Sequence, residues 1–206
     1  MIHVVVLGLD AVHLVAESAA ARGKHAHALA MWQAGMSDEA YKIFKGNPLD
    51  SMYMGLCPGD FHMTSALDAH RQEAQRDFGD PIGISSRALV EGLFGVQPDL
   101  IAGEVRLRPG FPSDWDRASL KHKDFDFAWN RAQMRETYEF TSRLIKLVYL
   151  TLSLPARTTS LLVVIVDGRR VDCVFDTAAV GEPMLMVRVP PARSNRIEIE
   201  WHERNP

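Results

Sequence analysis

Ionisable side chains are concentrated in the stretch from residue 60 to residue 80. The stretch contains Asp60, His62, Asp68, His70, Glu73, Asp77 and Asp80. Hydrolysis of a glycosidic bond requires two carboxyl groups that face each other across a sugar ring. Glu73 and Asp77 are four residues apart and would share one face of a helix. Solvated acids that pair with nearby arginines would give the same spacing, so both interpretations remain open.

Two histidines in this stretch, His62 and His70, raise the question of a metal site. HExxH and comparable ligand spacings are absent, and histidines in loops more commonly form hydrogen bonds. We therefore expect no metal ion. His25 and His27 are two residues apart on a predicted helix and face different directions, so they are not expected to form a ligand pair.

Three aromatic residues are candidates for a surface on which a sugar ring stacks: Trp32, Tyr53 and Phe61. Such rings combine a broad apolar face with a low ordering cost. Trp32 also lies in the apolar stripe of a predicted helix, and that position favours the alternative in which it is a core residue.

Composition and missing motifs exclude several functional classes. The 206 residues include 23 Lys and Arg against 26 Asp and Glu, so the net charge of -3 provides no basic field for nucleic acid. GxGxxG, P-loop and GxSxG motifs are absent, and we expect no cofactor. Cys57 and Cys173 show no CxxC spacing. The apolar run from Ile2 to Leu9 is too short to cross a membrane and predicts a buried helix rather than a signal peptide.

The first half of the chain has a helical pattern. Apolar residues recur every three or four positions between Lys24 and Gly46, and the break at Gly35 predicts two helices that meet there. The second helix is expected to end at residues 46–48, and residues 47–64 are expected to form a long functional loop. A further helix is predicted to begin at Asp80, with a proline in its first turn, and to end at Gly95.

After Gly95 the apolar pattern changes to a period of two residues, which indicates strands. Asp167 and Gly168 follow a β-branched run and predict a two-residue hairpin. Seven or eight such strands are typical of a sandwich. The sequence thus predicts an α+β protein with a helical domain over residues 1–97 and an antiparallel β-sandwich over residues 98–206.

Several segments resemble one known enzyme family. SRALVEGLFGVQPDL from Ser86 and EVRLRPGFPSDWD from Glu104 resemble the junction in six-hairpin glycosidases where the last toroid helix runs into a β-sandwich. AMWQAG from Ala30, EAYKIFKG from Glu39, DSMYMGLCPG from Asp50 and RDFGD from Arg76 are similar too. The resemblance covers residues 24–201 and is nearest to a bacterial group of α-L-rhamnosidase-like enzymes.

The resemblance implies an (α/α)6 toroid of about twelve helices, of which only the last hairpins fit before Gly95. The chain would then be the C-terminal part of a glycoside hydrolase and would be inactive alone. Its implied catalytic residues are Glu73 and Asp68. Its implied substrate-binding residues are Trp32, Tyr53, Asp60, His62 and Asp77.

The resemblance also bears on partners and location. A carbohydrate substrate and the upstream half of the toroid are the implied partners, with no nucleic acid and no membrane. Relatives of this kind often act in the periplasm or outside the cell, but the N-terminus gives no export signal. A half-toroid would leave Leu29, Trp32 and Leu93 partly uncovered, so the chain alone would be expected to self-associate.

Two alternatives keep parts of this interpretation. In the first, the chain is a non-catalytic carbohydrate-binding or structural module whose helices only support the sandwich. In the second, it belongs to an inverting sugar phosphorylase, with a phosphate pocket formed by His62, Thr64 and Arg87. Glycan binding without turnover would indicate the module, and phosphate-dependent release of a sugar phosphate would indicate the phosphorylase.

Overall fold

The computed structural model describes residues 3–5, 21–54, 80–157, 161–177 and 183–201. Within these ranges the protein is α+β, with three α-helices, one π-helical segment and twelve strands. It divides into two compact units. The helical unit comprises the described residues up to Gly95 apart from the first strand, together with residues 110–113. The strand unit comprises the first strand, residues 96–109 and the described residues from Asp114 onward.

The helical unit begins with a pair of helices, α1 (Ala21–Gln33) and α2 (Ser37–Met54). They are separated at Gly35, whose φ of +84° is strained for any residue with a side chain. The N–H groups of Gly35 and Met36 donate to carbonyls of the last turn of α1, at 3.1 and 2.9 Å. Asp38 and Glu39 occupy the first turn of α2, where a helix dipole favours negative charge. The predicted break between two helices is confirmed.

The predicted end of α2 at residues 46–48 is wrong, because the helix continues through Pro48 to Met54. A proline inside a helix removes one backbone hydrogen bond and normally favours a break. Here Ala40, Phe44 and Asn47 of α2 are buried, and this packing outweighs the local preference. The predicted loop over residues 47–64 is therefore helical up to Met54, and its remainder lies outside the described residues.

The third helix, α3 (Asp80–Arg87), begins at the predicted residue. It continues into a π-helical segment, Ala88–Leu93, in which Phe94 N–H donates to the Leu89 carbonyl at 3.1 Å. Gly95, with a φ of +66°, ends the segment as predicted. No helix in the described ranges is long and apolar enough to cross a membrane.

Twelve strands form the strand unit. They are β1 (His3–Val5), β2 (Val96–Asp99), β3 (Glu104–Leu107), β4 (Arg117–Lys121), β5 (Phe125–Ala132), β6 (Arg135–Ser142), β7 (Tyr149–Pro155), β8 (Leu161–Val166), β9 (Arg169–Arg170), β10 (Val174–Asp176), β11 (Met184–Val189) and β12 (Ser194–Trp201). A seven-stranded sheet has the order β1-β4-β5-β6-β12-β8-β9, and a five-stranded sheet has the order β10-β11-β7-β3-β2.

Buried and exposed side chains alternate along the strands, and the buried ones form the core of the sandwich. In β6 the buried positions alternate with more exposed ones, and β12 shows the same pattern. Residues from both sheets, such as Leu107, Leu152, Leu185 and Ile199, are fully buried. The sandwich prediction is confirmed, but the sheets are not wholly antiparallel because β3 and β7 pair in parallel.

Individual strand predictions have mixed outcomes. The β8–β9 hairpin turns at Asp167 and Gly168, both with positive φ, as the sequence predicts. The buried helix predicted near the N-terminus is wrong for His3–Val5, which pair antiparallel with β4 as an edge strand. A short apolar run does not distinguish a buried helix from a strand, so the pattern could not decide between them.

Candidate functional site

Most of the predicted site residues lie outside the part of the chain that the structure describes. These residues are Asp60, His62, Asp68, Glu73 and Asp77. Tyr53 belongs to the last turn of α2, and its side chain is also outside the described part. Trp32 is described in full. For the phosphorylase alternative only Arg87 is described, and its guanidinium Nε lies 2.8 Å from a carboxylate oxygen of Glu91.

Trp32 is a core residue of the helical unit. Its side chain is 5% exposed, and its indole N–H donates to the Gly110 carbonyl at 2.9 Å. The ring also packs against Phe44, with centroids 5.5 Å apart. A ring enclosed in this way has no face open to a sugar in the described structure, so its assignment as a substrate-stacking surface is corrected to a core role.

Two glycines, Gly92 and Gly110, give the Trp32 ring its space. A Cβ on Gly92 would lie 2.3 Å from the ring atom Cε3, and a Cβ on Gly110 would lie 2.4 Å from Cδ1. Both distances are far below a carbon–carbon contact. Both glycines lie in the GLFG and PGFP segments, and nothing local in these segments predicts a contact with Trp32.

The residues expected to be partly uncovered in a half-toroid are buried. Leu29, Trp32 and Leu93 are all nearly inaccessible to solvent. The loop at residues 110–113 contributes to this packing, because Phe111 lies edge-on to Phe94 and Ser113 N–H donates to the Asp38 carboxylate at 2.7 Å. The expectation of exposed helix faces at these three positions is therefore wrong.

His25 is a buried titratable group in the same unit. Its ring lies 5.6 Å from that of Phe44, with an interplanar angle of 61°. Burial disfavours the charged imidazolium and lowers the pKa of His25 to about 4. His27 is exposed, which confirms that the two histidines face different directions.

The His25 pKa predicts acid destabilisation. Between about pH 6.5 and about pH 4 the unfolded chain binds a proton at His25 and the folded chain does not, so the free energy of unfolding decreases as the pH falls. The expected loss is up to about 3 kcal/mol at about pH 4, because one pKa unit corresponds to about 1.4 kcal/mol. Urea denaturation of wild type, His25→Leu and His27→Gln across this range measures it. His25→Leu should flatten the pH dependence, His27→Gln should not, and identical slopes in all three proteins would contradict the assignment.

The strand unit contains an ionic cluster formed by the buried residues Glu136 and Tyr138 and the partly exposed Arg157. The Glu136 side chain is 6% exposed, and one of its oxygens lies 2.7 Å from Arg157 Nε. The Tyr138 hydroxyl donates to the other oxygen. Burial and the adjacent Glu136 carboxylate raise the pKa of Tyr138 well above its usual value, so the tyrosine stays protonated as a donor.

The Glu136 cluster does not match the predicted chemistry. Glycosidic cleavage needs two carboxyl groups, whereas this cluster has one carboxylate whose two oxygens already have partners. Glu136 is not among the predicted site residues, although it occupies an inward position on β6, on the same face as Tyr138 and Phe140. A charged residue on the apolar face of an alternating strand is the signal that could have identified it.

No metal centre is evident in the described ranges. No group of three or more His, Cys, Asp or Glu side chains there is arranged to hold a metal ion. The basic residues Arg106 and Lys121 belong to β3 and β4. They are therefore in different sheets.

Comparison with solved structures relates this fold to part of a glycosidase. An α-L-rhamnosidase from Dictyoglumus thermophilum matches over 86% of this chain, with a TM-score of 0.60 and 12% sequence identity. The fold is distantly rhamnosidase-like. This chain spans 20% of that enzyme's chain. An α-L-rhamnosidase from Streptomyces avermitilis, solved with L-rhamnose, matches over 78% of this chain with a TM-score of 0.42 and 14% identity, and 14% of that chain is covered.

The relationship rests on fold alone. No protein-family model matches the sequence, and no curated protein matches it significantly. The rhamnosidase-like match covers 86% of this chain. The segments that carry the sequence resemblance include GLFG and PGFP. The two glycines of those segments pack against Trp32, so their place in this fold has a packing explanation that requires no bound ligand.

Proposed function

We propose that this chain is the C-terminal part of a glycoside hydrolase that carries the last hairpins of an (α/α)6 toroid and a β-sandwich. The observation that supports the proposal is the similarity in fold to an α-L-rhamnosidase over 86% of the chain. The remaining toroid helices would come from chain upstream of this sequence or from a second copy.

In the proposed site, Glu73 or Asp68 is the carboxylate that this chain contributes. It would activate a water on one side of the sugar ring while a second acid protonates the departing oxygen, with the two carboxyl groups about 6.5 to 9.5 Å apart if the reaction inverts. Tyr53, Asp60, His62 and Asp77 would hold the sugar. Trp32 is a packing residue of the helical unit and has no role in holding the sugar.

The test is turnover by the full-length protein, with an aryl α-L-rhamnoside as the first substrate because the matched structure is an α-L-rhamnosidase. Glu73→Gln is expected to lower kcat by at least about 100-fold, the usual contribution of a general acid or base. The melting temperature should not change. Asp68→Asn tests the alternative assignment within this pair.

Glu91→Gln is the matched control, since Glu91 is an acid of the helical unit that is already paired with Arg87. Its turnover should equal that of wild type. Full activity in both Glu73→Gln and Asp68→Asn would refute the catalytic assignment. Saturable glycan binding by a full-length protein that shows no turnover would instead identify a carbohydrate-binding module.

A further inference from the structure

The two sides of the sandwich have different surfaces. On the outer side of the seven-stranded sheet, ion pairs cross between neighbouring strands: Arg135 pairs with Glu200, and Arg196 pairs with Glu139 at 3.2 Å. Among the residues of this sheet whose side chains the structure describes, no large apolar side chain is exposed. This side is therefore typical of a sheet surface that faces water.

The outer side of the five-stranded sheet carries exposed apolar side chains. Met186 of β11 and Val174 of β10 are exposed and lie opposite each other. Tyr149 of β7 is exposed too. It lies on the same face, because it is four residues from Ser153, the β7 residue opposite Met186.

The loops that lead into two strands of this sheet continue the apolar surface. β3 and β7 run parallel, so the loops before them lie at the same end of the sheet. The two loops are in contact, because Tyr149 N–H donates to the Gly103 carbonyl at 2.9 Å. Their exposed apolar residues are Leu100, Ile101, Ile145 and Leu147.

The exposed apolar residues are thus concentrated on one side of the sandwich. Seven of the eight large ones in the described ranges belong to the five-stranded sheet or to these two loops. Ile101 is fully exposed and Ile145 is 97% exposed. Scattered apolar residues are normal on a surface, whereas a contiguous group marks an interaction site. We call the outer side of the five-stranded sheet, with residues 100–103 and 145–147, the five-stranded face.

The five-stranded face carries equal numbers of positive and negative side chains. The positive residues are Arg106, Lys146 and Arg188, and the negative residues are Asp99, Glu104 and Asp176. A surface of one sign favours a partner of the opposite sign, whereas a surface with both signs favours a partner that also has both. A second copy of the same face meets this requirement, and a symmetric dimer needs a self-complementary surface.

The size and composition of the five-stranded face also suit a dimer. Five strands about 4.8 Å apart and up to seven residues long, at about 3.3 Å per residue, cover about 500 Å² before the loops are counted. Stable interfaces bury about 800 Å² of accessible surface per partner, which is of the same order. Tyr, Met and Arg are enriched in interfaces. Tyr149, Met186 and Arg188 are of these types, and the Arg188 guanidinium carbon lies 4.4 Å from the Tyr149 ring centroid.

We propose that the five-stranded face is the interface of a homodimer in which two copies of this chain pack sheet against sheet. The apolar residues of the two copies exclude water from one another, and guanidinium groups of one copy pair with carboxylates of the other. This surface is distinct from the helix residues Leu29, Trp32 and Leu93, which are buried within one chain. The proposal does not depend on glycosidase activity.

The experiment is sedimentation equilibrium of the full chain from about 1 to about 200 µM. The mass should rise from that of one chain to that of two, with a Kd below about 100 µM. Ile101→Glu and Met186→Glu should each raise the Kd at least about tenfold, because each places an unpaired charge in an apolar interface. Arg188→Glu should raise it about fivefold or more, because it leaves the face with an excess of negative charge.

Asn130→Glu is the matched control. Asn130 is an exposed strand residue of the seven-stranded sheet, so the variant carries the same new charge on the other side of the sandwich. Its Kd should lie within about twofold of the wild-type value. All four variants should melt like wild type at the lowest concentration, where every chain is monomeric.

Two results would overturn the proposal. One is a wild-type chain that remains monomeric up to about 200 µM, which would assign the five-stranded face to a different partner. The other is a dimer whose Kd is unchanged by both Ile101→Glu and Met186→Glu, which would place the interface elsewhere. Turnover that depends on Glu73 in a monomeric protein would refute only the dimer, and a dimer without turnover would refute only the catalytic proposal.

Discussion

Gly92→Ala is expected to destabilise the helical unit by about 3 kcal/mol, at the upper end of what overpacking a core costs. The added methyl group would lie 2.3 Å from the Trp32 ring. The ring cannot simply move away, because its N–H donates to the Gly110 carbonyl and the ring packs against Phe44 at a tilt of 58°. The decrease in the free energy of unfolding can be measured by urea denaturation followed by tryptophan fluorescence.

Gly83→Ala is the control for this prediction. Gly83 is an exposed position in α3, and a Cβ there would have no atom within 4 Å. Alanine at such a helical site should raise the free energy of unfolding by about 0.5 to 1 kcal/mol. A variant that combines Gly92→Ala with Trp32→Leu should lose less free energy of unfolding than the two single variants lose together. The smaller leucine side chain removes the clash with the added methyl group. Additive costs would show that Gly92 and Trp32 do not interact.

Glu136→Ala is expected to lower the free energy of unfolding of the strand unit by about 3 kcal/mol. Removing one member of a buried ion pair costs about 3 to 5 kcal/mol. The lower value applies because the remaining Arg157 side chain is 32% exposed and can be hydrated in part. The Tyr138 hydroxyl would also lose its acceptor while remaining buried.

Glu139→Ala is the matched control on the same strand. Glu139 is 49% exposed and pairs with Arg196 at 3.2 Å on the surface, where such pairs contribute about 0 to 1 kcal/mol. Arg157→Met should lower the free energy of unfolding at least as much as Glu136→Ala, because it leaves the buried Glu136 carboxylate without its counter-charge. Equal costs for Glu136→Ala and Glu139→Ala would contradict the role given to the Glu136 cluster.

Much of the sandwich was predictable because each of its clearest strands buries one face. In β6, β7 and β12 inward apolar residues alternate with polar ones, and this pattern is visible in the sequence. The sequence of β11 lacks this alternation. Its outward positions include Met184 and Met186, so the strand reads as an apolar run without alternation.

The candidate site was less predictable, because it depends on contacts that are distant in sequence. Trp32 and Gly110 are 78 residues apart, and no local pattern shows that one must be a glycine because of the other. Glu136 and Arg157 are likewise brought together only by the fold. The predicted catalytic acids, Glu73 and Asp68, lie outside the described residues and remain a proposal.

The central place of β12 affects how the protein can fold during synthesis. β12 pairs with β6 on one side and with β8 on the other, so it joins the two halves of the seven-stranded sheet. A ribosome releases the chain from the N-terminus onward, at about 5 to 20 residues per second. Strands β4 to β6 can pair as soon as they emerge, but the edges of β6 and β8 stay unpaired until β12 follows. During that interval the nascent chain presents open strand edges, which are the kind of surface that chaperones protect from aggregation.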